Sequence, residues 1–469
     1  MQIIKQEQIE QADTCGYFCS EAEAGKIGSL KTAYARGLFT GKKAESYSYF
    51  QGAKLEIYYG TGTEQLTEQE LRVAIGSMVQ LANGQKSKCL AFPKKKFNSA
   101  ETRIVAEAAV LANYQFNNYL SEAKSNSVEV VLIPTEDSIS LSLGILLGEE
   151  TNRARALMNE PNCQLHPADF VKIAGEVSKE AGFELEIWDE EKIVAAKMEA
   201  FYAVAKGSVH APYFIIMRYN GKPESEKRLG LVGKGVMFDS GGYNLKPGTS
   251  MEDMYGDMAG GAAVLAAMSA IAKNKLAVNV VAVVAACENK VSGNSYVPGD
   301  IIGSMSGKTI YIVNTDAEGR LTLADAVYYL AVRESVSAIV DIATLTGAAE
   351  VALGDTVTLI VSNDDTLNNA YAKAVELSGE QCWRMPILPE FKEWIQGETA
   401  DLKNSGGRKA SSITAALFVG AFAQDLPWLH LDIAGSSWQE KASSLGPKGA
   451  TGVGVRSLYH LAAKFEELV

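Results

Sequence analysis

Histidine is the scarcest titratable residue in this chain of 469 amino acids, with four copies at positions 166, 210, 430 and 460. They lie far apart, which excludes the H-E-x-x-H zinc helix. The six cysteines are equally scattered. The pair Cys15 and Cys19 has no second cysteine or histidine pair to complete a four-ligand zinc site. If the protein binds a metal, we therefore expect mainly oxygen ligands.

The chain also lacks segments that would direct it to or through a membrane. Met1 to Gly25 carries Lys5, Glu7 and Glu10 and no apolar core, so we expect no signal peptide. The longest apolar run, Leu276 to Cys287, falls well short of the roughly 20 residues that cross a bilayer. These features predict a cytoplasmic protein with reduced thiols and no membrane partner.

Basic residues are outnumbered, with 44 Lys and Arg against 56 Asp and Glu, for a formal net charge of −12. Affinity for nucleic acid depends on neutralising phosphates, and no basic cluster stands out in the sequence. The composition, 47 % hydrophobic and 21 % charged, is that of a globular protein rather than a disordered chain. Nucleic acid is therefore not an expected partner.

Alternating strand and helix patterns predict an α/β fold in two domains. Residues 1–137 are predicted to form a smaller α/β domain, residues 138–165 a linker helix and connection, and residues 166–469 a larger catalytic domain. Strands of the larger domain are apolar at nearly every position, as expected for a mainly parallel central sheet covered by helices. They are predicted at Arg228 to Met237, Val278 to Ala286, Thr309 to Val313, Ala338 to Ile342 and Trp428 to Ile433.

Acidic residues collect at strand ends and helix starts of the larger domain. Asp239, Asp316 and Glu318 each follow a predicted strand, and Asp257 precedes an apolar helix. Any one of them alone is more typical of a helix cap or a solvated turn. In open α/β sheets, however, ligands bind beyond the carboxyl ends of the strands. Four carboxylates gathered there would repel one another unless cations neutralised them, which predicts a site for divalent metals.

Other catalytic motifs are incomplete. Gly233 to Phe238 begins like a dinucleotide fingerprint but has phenylalanine in place of the third glycine. Neither Ser240 nor Ser436 lies in the G-x-S-x-G pattern of a hydrolase elbow. We therefore expect neither a dinucleotide-binding site nor a serine hydrolase.

The segment Asn314 to Leu321, NTDAEGRL, resembles the signature of the leucine aminopeptidase family, the dinuclear metal cytosol aminopeptidases of peptidase family M17. The resemblance covers about residues 150 to 469 in register. Its other segments are Val232 to Gly235, Phe238 to Gly242, Lys246-Pro247, Asp257 to Gly261, Ala286 to Asn289, Ala343 to Ala348, Ala400 to Leu402 and His430 to Gly435.

The resemblance implies two divalent ions, Zn or Mn, and a set of ligands for them. Asp239 and Glu318 would bridge the ions, Asp316 would complete one site, and Lys234 with Asp257 would complete the other. A lysine ligand must be neutral, a state that burial and adjacent divalent charge can produce. A water or hydroxide bound by the metals would be the nucleophile.

The resemblance also implies catalytic and substrate-binding residues. Lys246 would stay charged and stabilise the oxyanion, and Arg320 would hold a bicarbonate ion that acts as proton shuttle. Four residues fall on the positions of an apolar side-chain pocket, although ordinary core packing is the alternative interpretation. These are Met254, Thr344, Gly347 and Ala450.

Together these features predict a cytoplasmic aminopeptidase that removes N-terminal, preferably leucine-like residues from short peptides. The resemblance implies a homohexamer whose active sites face an interior cavity. Two alternatives remain open at this stage: a dipeptidase that acts on substrates such as cysteinyl-glycine, and a DNA-binding regulator as a second activity. The net charge argues against the latter.

Overall fold

The computed structural model describes residues 1–5, 11–63, 65–93, 95–122 and 125–468. The chain divides into two compact units, one of Met1–Asn152 with Glu440–Lys448 and one of Arg153–Gln439 with Gly449–Val469. Glu7 and Glu10, two of the charged residues behind the expectation of no signal peptide, lie outside the described residues. The division between the units falls inside one continuous helix, Ser138–Asn159.

The first unit contains a six-stranded sheet with helices packed against it. Its elements in chain order are β1 (Gln2–Lys5), β2 (Thr14–Ser20), α1 (Glu21–Ala24), α2 (Lys31–Ala35), β3 (Ser46–Gln51), β4 (Lys54–Gly62), α3 (Glu68–Gly84), β5 (Cys89–Ala91), α4 (Ser99–Ala112), β6 (Val130–Ile133) and the first part of α5 (Ser138–Asn159). The strand order is β1-β6-β5-β2-β4-β3, and every neighbouring pair is parallel except β3 with β4.

Helix α3 begins with a capping box formed by Thr67 and Glu70. The Thr67 side chain accepts a hydrogen bond from the Glu70 backbone N–H at 3.3 Å, and the Glu70 carboxylate accepts one from the Thr67 N–H at 2.9 Å. This reciprocal capping box satisfies two of the backbone donors that a helix start leaves unpaired.

The second unit is built around an eight-stranded sheet. Its elements are α6 (Pro167–Ala181), β7 (Glu184–Trp188), α7 (Glu190–Ala195), α8 (Glu199–Ala205), β8 (Tyr213–Asn220), β9 (Leu229–Asp239), α9 (Gly248–Met251), α10 (Ala259–Lys273), β10 (Asn279–Asn289), β11 (Ile301–Ile302), β12 (Ile310–Tyr311), α11 (Gly319–Arg333), β13 (Ala338–Ala343), α12 (Gly347–Leu353), β14 (Thr358–Ser362), α13 (Asp365–Ser378), β15 (Cys382–Arg384), α14 (Pro389–Glu393), β16 (Leu402–Lys403), α15 (Ser411–Gly420), β17 (Trp428–Asp432), β18 (Trp438–Gln439), β19 (Gly449–Ala450) and α16 (Val455–Lys464).

The strand order of the large sheet is β15-β14-β17-β13-β9-β10-β8-β7. Its central strands β17, β13, β9 and β10 run parallel, so their carboxyl ends meet at one edge. The predicted α/β class with a mainly parallel central sheet is thereby confirmed.

One helical stretch, Gly248–Lys273, has the length and apolar composition of a membrane span. Of its most apolar window, 89 % is buried inside the protein. Every residue of α10 from Ala259 to Ala272 is buried. Helix α10, the apolar part of the stretch, is therefore a core helix of the second unit.

The predicted strand Thr309 to Val313 is wrong in both extent and placement. Only β12, Ile310–Tyr311, is a strand, and it pairs with β11 and β16 in a separate three-stranded sheet. The Asn404 side-chain oxygen accepts hydrogen bonds from the N–H groups of Val313, at 2.8 Å, and Asn314, at 3.2 Å. Because these N–H groups donate to a side chain and not to a neighbouring strand, the strand ends before Val313.

Candidate metal centre

The carboxyl ends of β9 and β10 position the first pair of site residues. Asp239 closes β9 and lies in register with Asn289, which closes β10. Nδ2 of Asn289 donates to Asp239 Oδ1 at 2.8 Å and to the Thr315 carbonyl oxygen at 3.1 Å. Asn289 therefore joins Asp239 to the acidic loop 314–318. This role of Asn289 could not be predicted from the sequence, since a single amide side chain forms no recognisable pattern.

Lys234, in the middle of β9, contacts two further acids, Asp257 and Glu318. Its Nζ lies 2.7 Å from Asp257, just before α10, and 2.8 Å from Glu318, just before α11. It also donates to the Thr344 carbonyl oxygen at 2.8 Å. A Cβ at Gly319 would lie 2.5 Å from Lys234 Cε, so a larger residue there would displace the end of this lysine.

Lys246 contacts Asp239 and the fourth acid, Asp316. Its Nζ lies 2.8 Å from Asp239 and 2.6 Å from Asp316. The turn between Asp239 and Lys246 needs Gly241, because its φ is +83° and a Cβ there would lie 2.5 Å from the Asn244 carbonyl oxygen. Gly241 therefore lets the backbone turn tightly between Asp239 and Lys246.

Side-chain amides position the acidic loop. Asn244 Oδ1 accepts a hydrogen bond from the Thr315 N–H at 2.8 Å, and the Thr315 hydroxyl donates to the Gly241 carbonyl oxygen at 2.7 Å. Asn404 Nδ2 donates to the carbonyl oxygen of Asn314 at 2.6 Å. Asn244 and Asn404 lie in loops, and no sequence pattern predicts their role.

The cluster carries an excess of buried negative charge. Ligand oxygens of Asp239, Asp316 and Glu318 lie within 4.8 Å of one another. With Asp257, four carboxylates face two lysine ammonium groups, so full ionisation of the acids would leave two negative charges that the lysines do not balance. The arrangement can therefore accommodate cations.

Burial and mutual repulsion shift the pKa values of these acids. Burial raises the pKa of Asp239 well above its ordinary value, and Glu318 and Asp257 raise it further. Burial likewise raises the pKa of Asp257 to about 7 and, more modestly, the pKa of Asp316. Burial alone would also raise the pKa of Glu318, but Lys234 and Lys246 outweigh it and the pKa falls.

Arg320 lies beside this cluster at the start of α11. It is buried, and its Nη1 donates to the Asn404 carbonyl oxygen at 2.7 Å. Burial lowers the pKa of its guanidinium to about 10, against the opposing effect of Glu318 and Asp432. Among the described residues, none accepts a hydrogen bond from Nε. One donor of a buried cation is therefore available to an anionic ligand.

The structure brings one predicted pocket residue, Thr344, into contact with the acids. Its hydroxyl donates to Asp257 at 2.7 Å, so it positions that carboxylate. Met254 is half-buried in the 3₁₀ turn Met254–Gly256 before Asp257, Gly347 is exposed at the start of α12, and Ala450 is buried in β19. The assignment of these four residues to a pocket stays a prediction.

Comparison with known proteins gives one consistent match. The model of the cytosol aminopeptidase family, catalytic domain, matches residues 152–459. A probable cytosol aminopeptidase of Clostridium perfringens is 45 % identical over 424 residues, which are 87 % of this chain and 85 % of the relative.

Solved structures similar to this chain include an aminopeptidase of the same kind of fold. The bottromycin maturation enzyme BotP in complex with Mn has a TM-score of 0.88 and 30 % identity, covering 96 % of this chain and 98 % of that chain. A mutant of tomato leucine aminopeptidase has a TM-score of 0.89 and 30 % identity, covering 98 % of this chain and 96 % of that chain. All the site residues described above lie within the matched family range.

Proposed function

Because the chain belongs to the cytosol aminopeptidase family, peptidase family M17, we propose that it removes single N-terminal residues, preferably leucine-like ones, from short peptides. The family membership inferred from the sequence is confirmed, and with it the enzyme class, a hydrolase of the metallo-aminopeptidase type. The observation that carries the finer proposal is the buried cluster of lysines and carboxylates around Asp239.

The residues of this cluster fit divalent cations. The three carboxylate oxygens within 4.8 Å of one another have a spacing that ligands of one ion or of two neighbouring ions can adopt. The pKa values of Asp239, Asp257 and Asp316 are raised because their ionised forms are destabilised in this cluster. Divalent cations would stabilise the ionised carboxylates. The Mn bound by the similar enzyme BotP supports a divalent metal here.

We assign the ligands as the family resemblance implies. Asp239 and Glu318 would bridge two ions, Zn or Mn, with Asp316 completing one site and Lys234 with Asp257 the other. Carboxylate ligands tolerate several divalent metals. Bound there, the ions would polarise the scissile carbonyl and lower the pKa of the attacking water.

Lys246 has the properties of an oxyanion donor. Burial alone would lower its pKa, but Asp239, Glu318 and Asp316 outweigh burial and raise it. The side chain therefore keeps its proton at neutral pH. A fixed ammonium directed at the developing negative charge stabilises the transition state more than the ground state.

Arg320 is the proposed holder of a bicarbonate ion. Its buried guanidinium has an Nε donor to which the described residues offer no acceptor, and an oxyanion could accept that hydrogen bond. Bicarbonate would move protons at a site where the sequence places no histidine base.

Substrate preference, location and assembly complete the proposal. Met254, Thr344, Gly347 and Ala450 would surround the first side chain of the peptide. The chain would act in the cytoplasm as a homohexamer, an expectation that rests on the family resemblance and on the names of its relatives. The net charge of −12 still argues against DNA binding as a second activity.

A substrate comparison tests the proposed function. With Mn²⁺ or Zn²⁺ added, the protein should hydrolyse leucyl amide faster than aspartyl amide and should leave N-acetyl-leucyl amide intact. Acetylation removes the basic nitrogen of the α-amino group, so the peptide loses a ligand for the metal site. Equal rates on the free and acetylated amides would refute the assignment. Cysteinyl-glycine, if it is cleaved much faster than leucyl-glycine, would favour the dipeptidase alternative.

A further inference from the structure

Two of the four histidines meet a buried glutamate outside the cluster around Asp239. His166, His210 and Glu288 each offer one ligand atom, and these atoms lie within 4.8 Å of one another. His166 is the residue before α6, His210 lies between α8 and β8, and Glu288 is the penultimate residue of β10. The proposed peptidase reaction uses none of the three.

The spacing of His166 and Glu288 suits two ligands of one ion. His166 Nδ1 lies 3.1 Å from Glu288 Oε1. Ligands about 2.0–2.2 Å from a single Zn²⁺ are separated by about 3.0–3.5 Å when they subtend angles near 90–110°. The His210 ring stacks on the His166 ring with centroids 3.7 Å apart and planes at 21°. An imidazole binds a metal in the plane of its ring, so the His210 ring would have to rotate out of this stack to bind the same ion as His166.

Glu288 is oriented as a ligand. Its side chain is 1 % exposed, and its carboxylate accepts hydrogen bonds from Ser208 Oγ at 2.6 Å and from Asn162 Nδ2 at 2.8 Å. Burial would raise its pKa, but the hydrogen bonds that it accepts from Ser208, Asn162 and His166 outweigh burial and lower it. An ion bound by His166 Nδ1 would take the place of the proton on that nitrogen. The carboxylate is therefore ionised at neutral pH, and outer hydrogen bonds of this kind fix the orientation of metal ligands.

We propose that His166, His210 and Glu288 bind one transition-metal dication, best matched by Zn²⁺, at a site composed of residues other than those of the Asp239 cluster. Two imidazoles and one carboxylate with an open fourth position form a ligand set that Zn²⁺ accepts. Imidazole nitrogens favour Zn²⁺ over Mg²⁺ and Ca²⁺. A cavity of about 440 Å³, whose lining includes Ser208, His210 and Asn294, gives an ion access from solvent.

An ion at this site would connect three separate parts of the second unit. It would tie the start of α6 and the segment before β8 to the end of β10. Glu288 directly precedes Asn289, whose amide holds Asp239. The site would therefore stabilise the strand end on which the proposed catalytic cluster depends.

Anomalous diffraction from crystals of the full chain grown with Zn²⁺ tests the site directly. Data collected on both sides of the zinc absorption edge should show a peak bonded to His166 Nδ1 and Glu288. Absence of that peak at millimolar Zn²⁺ would overturn the proposal. The experiment does not depend on peptidase activity, so its failure is distinct from failure of the proposed function.

Metal counting gives a second test. After dialysis against micromolar Zn²⁺, H166A and H210A should each contain one ion per chain fewer than the wild type. E288Q, which retains the volume of the side chain, should weaken that ion's binding at least tenfold. The matched control is N294A, which alters the same cavity wall and leaves all three ligands in place, and it should keep the full count. Equal zinc content in H210A and wild type, with both folded by circular dichroism, would refute the proposal.

Discussion

The Lys234 ammonium lies 2.7 Å from both carboxylate oxygens of Asp257, and the two side chains are 3 % and 6 % exposed. Removing one partner of such a buried ion pair strongly lowers the stability of the folded protein, because the other charge stays buried without a partner. A lysine can bind a metal only as a neutral amine, so metal binding must release the ammonium proton and break the contact with Asp257. This relationship links metal affinity to pH.

Metal affinity and hydrolysis should both rise from acid toward mildly alkaline pH. Burial alone would lower the pKa of Lys234, but Asp257, Glu318 and Asp239 outweigh it and raise the pKa. The lysine is therefore protonated near neutral pH, and protons compete with the metal until the pH approaches that pKa. The substrate α-amino group, with an ordinary pKa of about 8, acts in the same direction. Calorimetric titration of Mn²⁺ at several pH values, in buffers of different ionisation enthalpy, measures the proton released.

The matching variant is Lys234→Arg, which should lose the ion at every pH because guanidinium keeps its proton. The control is Lys392→Arg at an exposed position of α14. Full metal occupancy in Lys234→Arg would show that this lysine is not a ligand.

Glu318→Ala should abolish peptide hydrolysis without unfolding the protein. The carboxylate is assigned to both ions, so its removal should abolish metal binding. Lys234 loses its 2.8 Å contact with Glu318 but keeps Asp257 as a partner, so the chain should be less stable yet remain folded. The control Glu398→Ala removes an exposed carboxylate. Hydrolysis of leucyl amide and denaturant unfolding are the measurements. More than about a tenth of wild-type activity, a barrier increase below about 1.4 kcal/mol, would contradict the assignment.

Lys246→Ala should reduce turnover more than it reduces metal content. A positive donor to the oxyanion typically contributes about 100-fold or more to turnover. Metal stoichiometry and kcat, measured on the same preparation and compared with the exposed-site variant Lys392→Ala, separate the two effects. Lost metal with unchanged turnover per bound ion would reverse the roles assigned to Lys234 and Lys246.

Asn289→Ala should weaken metal binding or activity by about 10-fold to 100-fold, the usual effect of removing a side chain that orients a metal ligand. The variant deletes the 2.8 Å hydrogen bond to Asp239 and the 3.1 Å bond to the Thr315 carbonyl oxygen. A role in positioning predicts that added Mn²⁺ restores part of the lost activity. Activity equal to that of the wild type at limiting Mn²⁺ would rule out this role.

Local sequence patterns determined much of the architecture. Strands β9, β10, β13 and β17 are apolar at nearly every position because both faces of a central parallel strand are buried. The start of α3 follows from Thr67 and Glu70, which need only each other to form a capping box. The acids Asp239, Asp316 and Glu318 could be named from the sequence because they lie in contiguous motifs.

Only the tertiary structure decided which distant residues meet. Thr309 to Val313 has the apolar pattern of a central strand, yet its partners are β11 and β16, and Asn404, about 90 residues away, ends it. His166 and Glu288 are 122 residues apart and lie 3.1 Å from each other. Periodicity reports the face that each residue buries within its own element. Which elements then pack together depends on side-chain volumes and hydrogen bonds across the whole chain, and no local pattern records them.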